Sequence, residues 1–169
     1  MYHLIILILN EDIRIMNGLN LPEYRHRIIT EAGQQKIFDI IRKKYVMLTP
    51  EEWVRQNFIQ YLIQEKSVPA SHIAVEAGFK LHSLTKRFDI LVFGKAGLPA
   101  MLVECKAPNV VIHQETFDQI SRYNLALNVK FLVVTNGMDH YCCLVDHETG
   151  TIRFLNEIPV YSSIASVNT

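Results

Sequence analysis

The stretch RFDILVFGKAGLPAMLVECKAP, from Arg87 to Pro108, decides the fold. Two apolar runs flank the turn-forming segment Gly94-Lys95-Ala96-Gly97-Leu98-Pro99, which is the pattern of a β-hairpin. Side chains alternate across a strand, so Glu104 and Lys106 share one face while Val103 and Cys105 point to the other. A hairpin symmetric about the bond between Ala96 and Gly97 places Asp89 directly opposite Glu104. Such a pair stands about 4.5–5.5 Å apart at Cβ, and two carboxylates that close repel unless a cation lies between them.

Hard oxygen donors in this arrangement suit Mg²⁺, which takes one or two carboxylates and keeps waters that a phosphate can replace. The competing reading is an ordinary salt bridge on a solvated strand face, because Glu-x-Lys is a common surface tripeptide. The setting favours the metal. Each charge interrupts a run that would otherwise be buried, and buried charge is costly unless it is paired or metal-bound.

Beyond the hairpin, 169 residues predict one domain with a core of its own. A composition 49% hydrophobic and 20% charged excludes disorder as the main state. The formal net charge is zero, so any nucleic-acid contact must come from local patches, of which Arg25-His26-Arg27, Arg42-Lys43-Lys44 and Lys86-Arg87 are the candidates. A solvated face is the commoner fate of such runs. The three cysteines, Cys105, Cys142 and Cys143, are too few and too awkwardly spaced for a disulfide framework, which points to a reducing compartment. Strand alternation would split His140, Cys142, Cys143 and His147 across two faces, which argues against zinc there. The opening MYHLIILILN lacks a basic leader and a cleavage site and is too short to span a bilayer. It is expected to be a strand or a packed extension, with a hairpin over residues 1–20 turning at Asn17-Gly18.

From Glu23 to Tyr45, Gly33 interrupts any helix, and the segment is expected to form an accessory arm. Thr49-Pro50-Glu51-Glu52 opens a helix, with Thr49 as N-cap, Pro50 at the first helical position and Glu52 placed for a capping box. Its apolar stripe is Val54, Phe58, Tyr61 and Leu62. By phase Glu51 projects from the buried side and Glu52 lies on the flank beside Arg55, so the choice of helix acid between the two stays open with phase favouring Glu51. A strand from His72 to Glu76 is expected to pair with the Asp89 strand. Pro108 ends the hairpin, Glu115 to Leu127 has helical spacing, and Lys130 to Gly137 reads as a buried strand parallel to the Glu104 strand. Tyr141–Val145 and Thr151–Leu155 form a last hairpin, and the tail after Pro159 is expected to fray. The order predicts an α/β sandwich around a mixed central sheet. Its divisions are an N-terminal extension and accessory segment over 1–47, a principal domain over 48–159 and a tail over 160–169.

Taken in order, PEEWVRQ, RFDILVF, LVECKAP and QISRY resemble the successive motifs of the PD-(D/E)XK nuclease superfamily, and more closely the N-terminal nuclease domain of type I restriction enzyme R subunits. The resemblance covers about Leu48 to Pro159, and Phe88 stands where the superfamily often has proline before its aspartate. It implies a restriction-endonuclease-like α/β sandwich and a Mg²⁺-dependent DNA endonuclease. In that role Asp89 and Glu104 hold the metal, helped by the carbonyl of Cys105, Lys106 orients or deprotonates the attacking water, and Glu51 completes the site. Gln119 and Tyr123 resemble that family's Q-x-x-x-Y pair and, with Arg55, would support the site and the DNA backbone. The resemblance further implies a cytoplasmic protein, with DNA and the methyltransferase and specificity subunits as partners and no membrane. The chain has no G-x-x-x-x-G-K-[S/T] loop, so the ATP-driven motor of whole R subunits is not part of it. The alternative expectation is a non-catalytic nuclease-fold module that docks on DNA or on restriction-complex subunits.

Overall fold

A computed structural model describes residues 18–81 and 84–166 of the chain. The hairpin expected over residues 1–20 falls almost wholly outside them. In chain order the elements are β1 (Ile28–Glu31), β2 (Gln34–Asp39), β3 (Lys44–Met47), α1 (Pro50–Gln64), β4 (Ile73–Val75), β5 (Gly78–Leu81), β6 (Leu84–Arg87), β7 (Ile90–Phe93), β8 (Pro99–Cys105), α2 (Gln114–Leu127), β9 (Phe131–Thr135), β10 (His140–Asp146), β11 (Thr151–Leu155) and α3 (Tyr161–Ala165).

The central sheet has six strands in the order β11-β10-β9-β8-β7-β4. Only β8 and β9 run parallel, joined through α2 as the buried strand after a helix predicted. The β7–β8 hairpin keeps the expected register, with Ile90 opposite Val103, Leu91 opposite Leu102 and Val92 opposite Met101, before a bulge at Phe93. β4 pairs antiparallel with β7, and β10 with β11, as read from sequence. Strand alternation sends Val103, Cys105, Val133 and Cys142 into one core with α1 and α3, and Leu102, Val134 and Cys143 into another beneath α2. The molecule is therefore an α/β sandwich around a mixed sheet.

Three stretches depart from expectation. The accessory arm is a three-stranded antiparallel meander, β1-β2-β3, in which Ala32 and Gly33 both adopt positive φ as a two-residue hairpin loop requires. Residues 78–81 and 84–87 form a separate two-stranded ribbon, β5–β6, between β4 and β7. The tail does not fray at once, because α3 buries Tyr161, Ile164 and Ala165 against the α1 core. Five residues cannot sustain a helix alone, so packing, not propensity, holds α3 in place.

Candidate active site

The site lies where the β7–β8 hairpin opens beside α1. Its frame is set by a break at Asp89. Phe88 packs in the α2 core and Ile90 in the α1 core, although residues two apart in a regular strand share a face. The chain bends between them, so Asp89 leaves the ladder one residue before it would face Glu104. Its carboxylate turns to accept two hydrogen bonds, from the Cys105 backbone N–H at 2.7 Å on Oδ2 and from Arg55 Nη2 at 2.7 Å on Oδ1.

Glu104 is 8% exposed, and its Oε1 accepts a 2.7 Å hydrogen bond from Lys106 Nζ. The two residues share a face as alternation predicts, and a salt bridge forms, but in a partly buried setting rather than on a solvated strand. Burial, the negative charge of Asp89 and that of Glu51 raise the pKa of Glu104 above the usual carboxylate range, against the pull of Lys106. Burial and Asp89 also raise that of Glu51, opposed by Arg55 and Lys106. Burial alone would lower the pKa of Lys106, but its hydrogen bond to Glu104 and the charges of Glu104, Asp89 and Glu51 override it, and the pKa rises. Each of these four residues lies within electrostatic reach of the others.

Glu51 and Glu52 exchange the burial assigned to them by phase. Glu52 is 6% exposed, whereas the Glu51 side chain is half-exposed at the rim, its Oε1 3.1 Å from Arg55 Nη2. The phase argument assumed one buried stripe. In the fold α1 is covered by the sheet and also reached from the meander, so a second flank is buried. The capping box is only half formed. Thr49 Oγ1 accepts the Glu52 N–H at 3.1 Å, but the Glu52 carboxylate turns away to Arg42, Arg55 and Gln56.

Sequence reasoning missed Asp39, Arg42 and Glu76, which join Glu52 and Arg55 in a largely buried ionic cluster. Arg55 donates to Glu51, Glu52, Glu76 and Asp89, while Arg42 donates to Asp39, Glu52 and Glu76. Glu76 stands out in the structure and not in the sequence. It directly follows β4 at φ 47°, a left-handed conformation uncommon for glutamate, and its N–H bonds the Asp89 carbonyl at 3.0 Å. Arg55 itself is buried at 4% exposure. Two of the three basic patches are also partly turned inward: Arg42 serves this cluster, Arg27 stacks 3.6 Å over Phe38, and His26 bonds Asn57. Gln119 is partly buried in the middle of α2, and Tyr123 follows one turn later, its side chain outside the described residues.

Among the described residues, no three His, Cys, Asp or Glu side chains form a ready-made metal cage. The donors at hand instead fit Mg²⁺, which needs only one or two carboxylates and retains its waters. Asp89 and Glu104 would supply those two, since burial and the neighbouring Asp89 raise the pKa of Glu104 and a cation between the two carboxylates would relieve their repulsion. His140 and His147 are taken up by hydrogen bonds to Thr135 and Asn20 and to Val129, while Cys142 and Cys143 face opposite cores.

The family model described as type I restriction enzyme R protein N terminus (HSDR_N) matches residues 50–159. The chain belongs to that family. The fold of the R-protein N terminus is shared with a solved fragment of a protein assigned as an HsdR subunit of a type I restriction enzyme from Vibrio vulnificus YJ016, at 23% identity and a TM-score of 0.51. That match covers 69% of this chain and 24% of the Vibrio chain, so it spans about a quarter of the larger protein. No curated protein matches the chain in sequence. Among the described residues no helix is long and apolar enough to cross a membrane.

Proposed function

We propose that this R-protein N-terminal domain is a Mg²⁺-dependent DNA endonuclease module that hydrolyses phosphodiester bonds within a type I restriction complex. The observation that carries the reading is the gathering of Asp89, Glu104, Lys106 and Glu51 at one end of the β7–β8 hairpin, each within the others' electrostatic reach. A bound divalent ion would supply Lewis acidity and a nucleophile drawn from water at neutral pH. Asp89 and Glu104 are the residues that would hold it. The Cys105 amide and Arg55 fix the two oxygens of Asp89, so its direction is set before any ligand arrives. Lys106 is kept as an ammonium by the surrounding acids, which suits it to orient water and to offset charge building on the phosphate oxygens. Glu51, half-exposed at the rim with its pKa raised, is the acid placed to accept a proton. The proposed setting is the cytoplasm, with DNA as substrate and methyltransferase and specificity subunits as partners.

Nicking of supercoiled plasmid in Mg²⁺ tests the reading. The native chain should nick, Lys106→Ala should lose most of that activity while keeping its circular dichroism spectrum, and equal nicking by both proteins would overturn the assignment. One observation favours a second reading, a non-catalytic module docking on DNA or complex subunits: Arg55 and Lys106 already pair with all three acids. A native chain that binds no Mg²⁺ in calorimetry and nicks nothing would decide for it.

A further inference from the structure

Residues 27–47 lie outside the span that matches the family, yet Arg42 reaches from them to Glu52 and Glu76 within it. Asp39 ends β2 with no exposed surface. Its Oδ1 accepts the N–H groups of Ile41 and Arg42, both at 2.8 Å, and so shapes the turn leading into Lys43 at φ 55°. Its Oδ2 accepts Arg42 Nε at 2.5 Å and Gln56 Nε2 at 2.9 Å. Arg42 is thereby held by its own turn with both ends of its guanidinium directed at α1 and β4.

What those ends touch is specific. Glu52 and Glu76 each give one oxygen to Arg42 and the other to Arg55. Arg42 Nη2 meets Glu52 Oε1 at 2.9 Å and Arg42 Nη1 meets Glu76 Oε2, while Arg55 Nη1 takes Glu52 Oε2 and, at 3.4 Å, Glu76 Oε1. That leaves Arg55 Nη2 for Asp89 and Glu51. Among the described residues Arg55 Nε has no hydrogen-bond partner, so the terminal nitrogens alone orient the guanidinium. Without Arg42, two carboxylates would bear on Arg55 Nη1 uncompensated and draw the guanidinium towards them, away from Asp89.

We infer that Arg42 is a positioning residue for Asp89: by sharing Glu52 and Glu76 with Arg55, it holds Arg55 in the orientation that fixes the Asp89 carboxylate. The N-terminal meander is on this account a working part of the site. The consequence for metal binding rests on the function proposed above, whereas the positioning of Asp89 does not.

The experiment uses the full chain, with Arg42→Met, Arg42→Lys and, as a core control on α3, which holds no residue of the cluster, Ile164→Val. Hydrogen exchange of the Cys105 amide, which donates to Asp89, is compared with that of the Leu132 amide in β9, and Mg²⁺ affinity is measured by calorimetry. Arg42→Met should accelerate Cys105 several-fold more than Leu132 and weaken Mg²⁺ binding about tenfold, the scale of losing a support to a metal ligand. Arg42→Lys keeps the charge but not the fork, so it should show the same selective loss and serves as the test if Arg42→Met does not fold. Ile164→Val should speed both amides alike and leave Mg²⁺ affinity unchanged. Parallel exchange of the two amides in both Arg42 variants would overturn the inference. If the native chain binds no Mg²⁺, the metal reading fails, and the amide comparison still decides whether Arg42 positions Asp89.

Discussion

Glu104 is a carboxylate the fold would sooner keep protonated. Its pKa is raised by burial and by Asp89, and an acid raised in the folded state favours folding while protonated. That contribution is fully present below the ordinary value of 4.5 and is lost as pH climbs through the raised folded value. Glu104→Gln, which mimics the neutral form, should therefore stabilise the chain by ~1 kcal/mol at pH 7, and the gain should vanish below the ordinary pKa. Urea melts at the two pH values measure it; a gain of the same size in acid would mean that the cause is not ionisation. The same variant should bind Mg²⁺ more weakly, as expected where a site is kept strained for activity. Arg55 is the opposite case. Removing it leaves partly buried Asp89 without its cation and buried Glu52 with Arg42 alone, so Arg55→Met should cost about 3–5 kcal/mol in the same melts. The hairpin acids were legible because a period of two fixes which residues share a face. The bonds of Arg42 to Glu52 and Glu76 were not, because they span 10 and 34 residues of sequence and follow from how elements pack.

At the scale of elements, β7 to β11 were readable because apolar runs bounded by Gly, Pro and Asn leave few choices of strand, and a helix between two strands implies a parallel pair. The opening of α1 was readable for a chemical reason. Thr49 offers an oxygen to an amide that the helix itself cannot satisfy, so Thr49→Ala should cost about 1 kcal/mol, seen as a lowered urea midpoint with an unchanged slope. The meander and α3 were harder. Gly33 was taken as a helix breaker when, with Ala32, it is a hairpin loop, and the serines around Ile164 look like a solvated tail. Ile164 is nevertheless fully buried, so Ile164→Ala should cost about 2–5 kcal/mol by the same measurement. A loss under half a kcal/mol would mean α3 frays after all.

Over the whole molecule, the family match and the folded unit do not have the same borders. The match begins at residue 50, but the ionic cluster that orients Asp89 begins at Asp39, and Ile37 on β2 has no exposed surface. A chain cut to residues 48–169 keeps every proposed catalytic residue and every strand of the central sheet. It also leaves Glu52 and Glu76 without Arg42, deprives Gln56 of the Asp39 carboxylate and uncovers the flank of α1 that faces the meander. Glu52 and Glu76 keep Arg55 but lose their second cation, so the fragment should unfold with about 3–5 kcal/mol less stability than the full chain. Trp53 lies on α1 against His26 of the segment removed, so its fluorescence reports both the missing contact in the native baseline and the unfolding midpoint in urea. A fragment with the full chain's midpoint would show that the meander is an appendage, and the border of the working domain would then lie where the family match begins.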